Sequence, residues 1–333
     1  MIQWLSIYYQ NQSNMAGNCL KDDCYPEETG CNHEGCDVLT DCQFYKKEAD
    51  QSPSEENIKD DFYVRVPWTG NTLGLQDLNF LTSTSPIILI GVAGIASAGK
   101  TTFLATLYCL LRNGHKIGSY QFAGSLTLTG WENIAWYLSW NKHNDIQFPP
   151  HTSSNSGRIP GLLHLSLRDE NGKKKELIFT DAPGEWFGHW IVNKNDSNAA
   201  GAQWVHEFAD AFLLFADCEM LSGTQLGKAR QQTKLVADRL KHDLKNRPLG
   251  LIWSKSDVIV DKEVKKQISD HIQNSLIPNY QEFEISVRNE TCVDLQLNIL
   301  ESIDWILTVL SRETNELPQV ERFAPTDLFL SKR

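Results

Sequence analysis

The chain has 333 residues, 41% of them hydrophobic, and a formal net charge of −11. That size and composition suit one large globular domain or two modest ones with a sizeable core. The acidic balance leaves no basic excess to neutralise phosphates along a nucleic acid or an anionic bilayer, so direct nucleic-acid binding is not expected.

The start, MIQWLSIYYQ, has neither a basic n-region nor a long apolar core. No apolar run approaches the roughly 20 residues of a membrane span. A cytoplasmic location is therefore expected. There the eight cysteines point to metal or buried thiols rather than to disulfides. Trp4, Tyr8 and Tyr9 make the opening segment aromatic, suited to packing on the main body or to contact with a partner.

Residues 1–45 read as a Cys-rich module. Cys19, Cys24, Cys31, His33, Cys36 and Cys42 follow the pattern C-x4-C, x6, C-x-H-x2-C, x5, C. Four such ligands hold a tetrahedral Zn²⁺, and the metal supplies folding energy that a segment rich in glycine and aspartate lacks. The spacing does not select which four, and a loop of reduced cysteines is the alternative reading.

Residues 46–85 read as a linker and approach segment. KKEADQSPSEENIKDD is polar and acidic. A possible strand, Phe62 to Val66, then gives way to a loop with Gly and Asn.

The main domain is expected over residues 86–311. The apolar run Ile87 to Val92 leads into Gly94, then Gly99, Lys100, Thr101 and Thr102. The spacing G-x-x-x-x-G-K-T, between a strand and a helix carrying Phe103, Leu104, Leu107, Leu110 and Leu111, is a P-loop. Its glycines let successive N–H groups, with Ala98 beside Gly99, turn toward phosphate oxygens, and the helix N-terminus adds positive dipole. Lys100 would reach the β- and γ-phosphates, and the Thr101 hydroxyl would sit on Mg²⁺.

Gly114, Gly118 and Gly124 then break the helical pattern. Residues 130–140 read as a short aromatic helix, and 148–160 as a Pro- and Ser-rich loop holding Thr152 and Arg158. Leu163, Leu165 and Leu167 alternate with polar residues, and Asn171-Gly172 turns the chain back through KELIFT. That hairpin ends at Asp181-Ala182-Pro183-Gly184. Asp181 at a strand end can bind Mg²⁺, usually through water, and the Gly184 N–H can bond a γ-phosphate. A plain Asp-x-Pro-Gly turn is the bland alternative.

FLLFAD, 212–217, reads as a buried strand, and 222–246 as a helix. Leu249 to Trp253 forms the next strand and ends in Ser254-Lys255-Ser256-Asp257. The Asp257 carboxylate can accept from the guanine N1–H and exocyclic amine, a donor pair adenine lacks. Ser254 stands where Asn or Thr is usual in such an element and keeps a hydroxyl. A polar helix is expected near 262–276, and FEISV, 283–287, as the last strand; there the run Ser286-Val287-Arg288 partly resembles the Ser-Ala-Lys-like loop that GTPases place against the base. Ile299, Leu300, Ile303, Ile306, Leu307 and Leu310 mark an amphipathic closing helix. Residues 312–333 form a short mixed tail.

P-loop, D-x-x-G and S-K-x-D in this order resemble GTPases of the translation-factor and Ras-like class, over roughly residues 86–311. The runs RIPGLLHLSLRD, LIFTDAPGEWF and LIWSKSD narrow the likeness: the chain resembles the bacterial double-GTPase proteins. That resemblance implies an α/β P-loop GTPase fold, a mostly parallel sheet flanked by helices with one antiparallel strand. It implies GTP/GDP and Mg²⁺ as ligands, and proteins of this kind often carry a cysteine-rich N-terminal segment. It implies a regulatory role beside companion proteins of a multi-protein prokaryotic anti-phage system, in a homo- or hetero-oligomer. Thr152 becomes the candidate switch threonine. Glu185 stands where Ras-like enzymes place a water-orienting glutamine, and its charge would repel the γ-phosphate, so hydrolysis is expected to be slow. Arg158 is a candidate arginine finger. The rival readings are a P-loop ATPase or kinase, and a scaffold that holds nucleotide without turnover.

Overall fold

The structure, a computed structural model, describes residues 17–19, 45–47, 72–84, 86–138, 160–274, 277–288 and 293–312. The chain divides into two compact units, residues 1–65 and 66–333. Within the first unit, strands β1 (Gly17–Cys19) and β2 (Tyr45–Lys47) pair antiparallel.

The second unit opens with helix α1 (Leu75–Thr84), where the sequence suggests only a loop. Leu75, Leu78 and Leu81 recur at helical spacing, a signal obscured by the neighbouring Gly70, Asn71 and Gly74. The Asp77 carboxylate accepts from the Gly74 N–H at 2.9 Å and steadies the start. The Leu73 N–H donates to the Leu162 carbonyl, which ties this segment to the sheet.

The elements that follow are β3 (Ile87–Ala93), α2 (Lys100–Arg112), β4 (Gln121–Gly124), α3 (Leu128–Trp136), β5 (Gly161–Arg168) and β6 (Lys174–Asp181). Then come α4 (Gly184–Val192), α5 (Ala200–Phe208), β7 (Ala211–Asp217), α6 (Cys218–Ser222), α7 (Leu226–Lys241), β8 (Leu249–Ser254), α8 (Lys262–Gln273), β9 (Tyr280–Glu284) and α9 (Val293–Arg312). Among the described residues seven strands form one sheet in the order β4-β5-β6-β3-β7-β8-β9. Only β5 runs against the others, paired antiparallel to both neighbours. The expected single antiparallel strand is therefore present. Strand β4, masked in the sequence by its two flanking glycines, was not foreseen.

Strands inside a parallel sheet are covered on both faces and read as continuous apolar runs. All seven residues of β7 are buried, as FLLFA implied. Alternate residues feed two cores. Leu89, Ile178, Phe212, Leu214 and Trp253 meet α4, α5, α7 and α8 on one face. Ile90, Phe179, Leu213, Phe215 and Ile252 meet α2, α3 and α9 on the other. The Phe103 ring of α2 packs edge-on against Phe215 at 5.3 Å, which seats the P-loop helix on β7, the neighbour of β3.

Several boundaries differ from the sequence reading, among them the aromatic helix, which runs Leu128–Trp136 and not 130–140. The helix expected over 222–246 is the shorter α7, Leu226–Lys241, and the short helix α6, Cys218–Ser222, precedes it. The strand before Lys255 extends through Ser254. The last strand is Tyr280–Glu284, not 283–287, so Ser286 lies beyond it. There the backbone leaves the ladder to serve the loop after β8: the Ile285 carbonyl accepts from the Ser256 N–H and hydroxyl, each at 2.9 Å. With six strands sharing one direction, the turns after β3, β6, β7, β8 and β9 gather at the carboxyl edge of the sheet, where open α/β sheets bind ligands.

Candidate nucleotide site

The turn after β3 has an unusual backbone. Gly94, Ser97 and Gly99 have φ of 150°, 64° and 84°. A Cβ at Gly94 would lie 3.0 Å from the Phe215 Cβ and 3.2 Å from its carbonyl oxygen, a tight fit against β7 on top of a φ that favours glycine. Ser97 holds a left-handed conformation without being glycine, the kind of stored strain that clusters at binding loops. Lys100 opens α2 and points back into the loop. Its Nζ donates to the Gly94 carbonyl at 3.0 Å and the Ile95 carbonyl at 2.9 Å. Burial pushes its pKa down to about 8, against the opposing pull of the Asp181 and Glu185 carboxylates. A desolvated ammonium at the floor of a loop of turned N–H groups is suited to a phosphate anion.

The hairpin β5–β6 delivers Asp181 to the same place. The Thr101 Oγ1 donates to Asp181 Oδ1 at 3.0 Å. A hydroxyl and a carboxylate oxygen beside a phosphate-binding loop form a hard oxygen set that suits Mg²⁺. Gly184 begins α4 directly, so the D-x-x-G runs into a helix instead of a longer loop. Gly184 is buried against the P-loop itself, and a Cβ there would collide with the Ala96 N and Cα and the Ile95 carbonyl carbon. Glu185, the next residue, is exposed and faces the cavity.

From the far side, β8 and β9 contribute the other wall. Ser254 is 2% exposed, and its hydroxyl donates to the Ala216 carbonyl at 3.3 Å. Lys255 has a φ of 55°, and its Nζ donates to Asp217 Oδ2 at 2.7 Å and Glu219 Oε2 at 2.9 Å. Burial alone would lower its pKa, but these two carboxylates outweigh it and hold the ammonium above the ordinary lysine value. The Ser286 hydroxyl donates to Asp257 Oδ1 at 2.6 Å, which aims the carboxylate although Ser286 lies outside the strand. This leaves Asp257 Oδ2 outside that bond.

These pieces enclose one cavity of about 310 Å³. Ala98, Gly99, Lys100, Thr101 and Thr102 line one side, Gly184 and Glu185 a second, and Ser254, Lys255, Asp257 and Ser286 a third. Val287 and Arg288, which follow Ser286 in the Ser-Val-Arg run, also line it. The acids behind Lys255 were missed as well. The signal available for them was an Asp closing an apolar strand, in FLLFAD.

Thr152 and Arg158 lie outside the described residues, as do Cys24, Cys31, His33, Cys36 and Cys42; Cys19 ends β1. Among the described residues no group of three or more His, Cys, Asp or Glu side chains is placed to hold a metal ion. Cys109 and Cys218 are free thiols, and burial pushes Cys218 up to about 12. No described helix is long and apolar enough to cross a membrane.

The model of the Double-GTPase 2 family matches residues 88–308. No curated protein sequence matches the chain. Among solved structures, a bacterial selenocysteine-specific elongation factor, EF-Sec, is 13% identical with a TM-score of 0.34, covering 70% of this chain and 30% of that one. A mutation variant of SsGBP is 14% identical with a TM-score of 0.36, covering 72% of this chain and 61% of that one. The chain thus spans less than two thirds of either solved chain.

Proposed function

The chain belongs to the Double-GTPase 2 family, and on that premise we propose that it is a GTP-binding switch protein with slow GTP hydrolysis. The observation that carries this reading is the single cavity shared by the P-loop, Gly184–Glu185 and Ser254–Asp257. The triphosphate lies along residues 94–102, with Lys100 exchanging its two loop carbonyls for phosphate oxygens. Thr101 and Asp181 would hold Mg²⁺, which would supply positive charge to screen the phosphates. Asp257, oriented by Ser286, accepts from the guanine N1–H and amine.

Turnover is slow because Glu185 brings a carboxylate, not a neutral amide, to the γ-phosphate side. It can orient water only against charge repulsion. Thr152 would serve as the switch threonine beside Mg²⁺, and a response of residues 148–160 and 182–200 to the γ-phosphate would change the surface offered to companion proteins. A regulatory place in a multi-protein prokaryotic defence system, in the cytoplasm, and a Zn²⁺ held by the residues 1–45 module complete the proposal.

Substituting Asp257→Asn tests the base assignment. Preference should move from GTP toward xanthosine triphosphate, and unaltered preference would sink it. Phosphate release at high protein concentration, compared with Lys100→Ala, tests turnover. Equal rates would leave a protein that holds nucleotide without hydrolysing it. Native mass spectrometry of the purified chain reads bound nucleotide, zinc and co-purifying chains together.

A further inference from the structure

Lys255 does two things at once. It lines the nucleotide cavity, while its ammonium is taken up by Asp217 and Glu219, which lie behind the lining residues. Only 1% of the Asp217 side chain is exposed, against 26% for Lys255 and 49% for Glu219. A carboxylate that dry needs a counter-ion, and Lys255 is the cation it contacts. Asp217 is also held at several points. It closes β7, its backbone registers with Ser254 of β8, and its Oδ1 accepts from the Glu219 and Met220 N–H groups at 2.9 and 3.3 Å. One oxygen is spent on the start of α6 and the other on Lys255.

We propose that Asp217 is a positioning residue for guanine selectivity: it fixes the Lys255 side chain against the base pocket before nucleotide arrives, with Glu219 as an outer second clamp. The inference rests on the reading of Ser254–Asp257 as the guanine-binding element. Its physical basis is preorganisation. A free lysine stem must lose rotamer freedom to lie along a base, and here that freedom is already lost in the folded protein. The left-handed φ of Lys255 is held by the same clamp and by the Val258 N–H, which donates to the Lys255 carbonyl at 3.0 Å. Glu219 is held below the ordinary carboxylate range, chiefly by its hydrogen bond to Lys255, with a further contribution from Arg288, which lines the same cavity.

The test is a double-mutant cycle on the full chain, read with fluorescently labelled GDP and ADP. Asp217→Asn keeps an oxygen for the α6 N–H groups and removes the charge. It should reduce the GDP-over-ADP preference about tenfold. In a Lys255→Ala background the same change should alter GDP affinity less than about twofold, because the residue it acts through is gone. Glu219→Gln, at an exposed position that does not threaten folding, should reduce the preference about threefold and show the same dependence on Lys255. A loss of GDP affinity that persists undiminished without Lys255 would mean a general structural role and overturn the inference. So would an undiminished preference in both single variants. A wild-type protein that binds GDP no better than ADP overturns the guanine reading itself, a result distinct from failure of the coupling.

Discussion

Thr101 in the first turn of α2 and Asp181 at the end of β6 are 80 residues apart and share a 3.0 Å hydrogen bond. The bond brings the P-loop and the D-x-x-G together at the point where a divalent cation would sit beside a phosphate. If both groups serve one Mg²⁺, removing either should give the same defect. Thr101→Ala and Asp181→Asn are each expected to weaken Mg²⁺-dependent GTP binding by roughly 10–100-fold. Titrating GTP with and without Mg²⁺ checks this. A variant that keeps the full Mg²⁺ dependence would remove that residue from the cation site.

Gly184 lies too close to the P-loop for any side chain. The atoms a Cβ would meet are backbone atoms of Ile95 and Ala96, which cannot swing away. Gly184→Ala should therefore displace α4 from the loop or distort the loop itself, at a cost of about 1–3 kcal/mol. Denaturant unfolding reads the stability loss. On the proposed reading of Gly184 as a γ-phosphate contact, GTP affinity should fall with it.

His164 makes stability depend on pH. It is 4% exposed; its Nδ1 accepts from the Leu126 N–H at 3.0 Å and its Nε2 lies 2.9 Å from Glu176 Oε2. Burial depresses its pKa, and the Glu176 hydrogen bond and charge only partly oppose this. The folded chain thus takes up this proton at lower pH than the unfolded chain, whose imidazole titrates near about 6.5. Above that pH both states are neutral and the group has no effect. As pH falls below it, the unfolded state binds the proton first and stability is lost, by at most about 1.4 kcal/mol per pH unit for one group. A His164→Gln variant should lose less stability than wild type between pH 7 and pH 5, measured by thermal unfolding. His206, also depressed by burial, remains in both proteins and cancels in the comparison.

Arg247 holds a strained turn. Asp243 and Lys245 both have positive φ, 61° and 54°. The guanidinium donates to the carbonyls of Leu244, His206, Ala209 and Asp243 at 3.1, 2.6, 3.1 and 2.7 Å, and lies over the Phe212 ring at 4.9 Å. A lysine carries the charge but cannot spread donors over four carbonyls. Arg247→Lys should cost about 1–3 kcal/mol of stability, read from the denaturation midpoint. A midpoint equal to wild type would show that charge alone suffices there.

The parts of this molecule that could be read from sequence are those whose physics is local. A phosphate loop needs glycines and a lysine at fixed spacing, so Gly94–Thr102 announced itself within one stretch. The hairpin turn at Asn171–Gly172 and the closing helix were equally legible: Gly172 has a φ of 82°, and α9 runs Val293–Arg312. Asp181–Gly184 and Ser254–Asp257 were legible as motifs because each follows a buried strand whose apolar run marks its end.

What only the tertiary structure decided is which of these ends meet, and what stands behind them. Asp217 and Glu219 contact Lys255 across 38 and 36 residues. That pairing exists only because β7 and β8 are neighbours in register, and sheet order is not written in either strand alone. Ser286 reaches Asp257 from beyond its strand because backbone bonds to Ser256 pull the chain out of the ladder, an effect invisible to alternation of side chains. Gly184 looked like a phosphate contact and is also a packing contact with the P-loop. The sequence determined the chemistry present, since spacing fixes what a loop can bind. The fold decided its geometry, since distance between remote residues follows from packing and not from pattern.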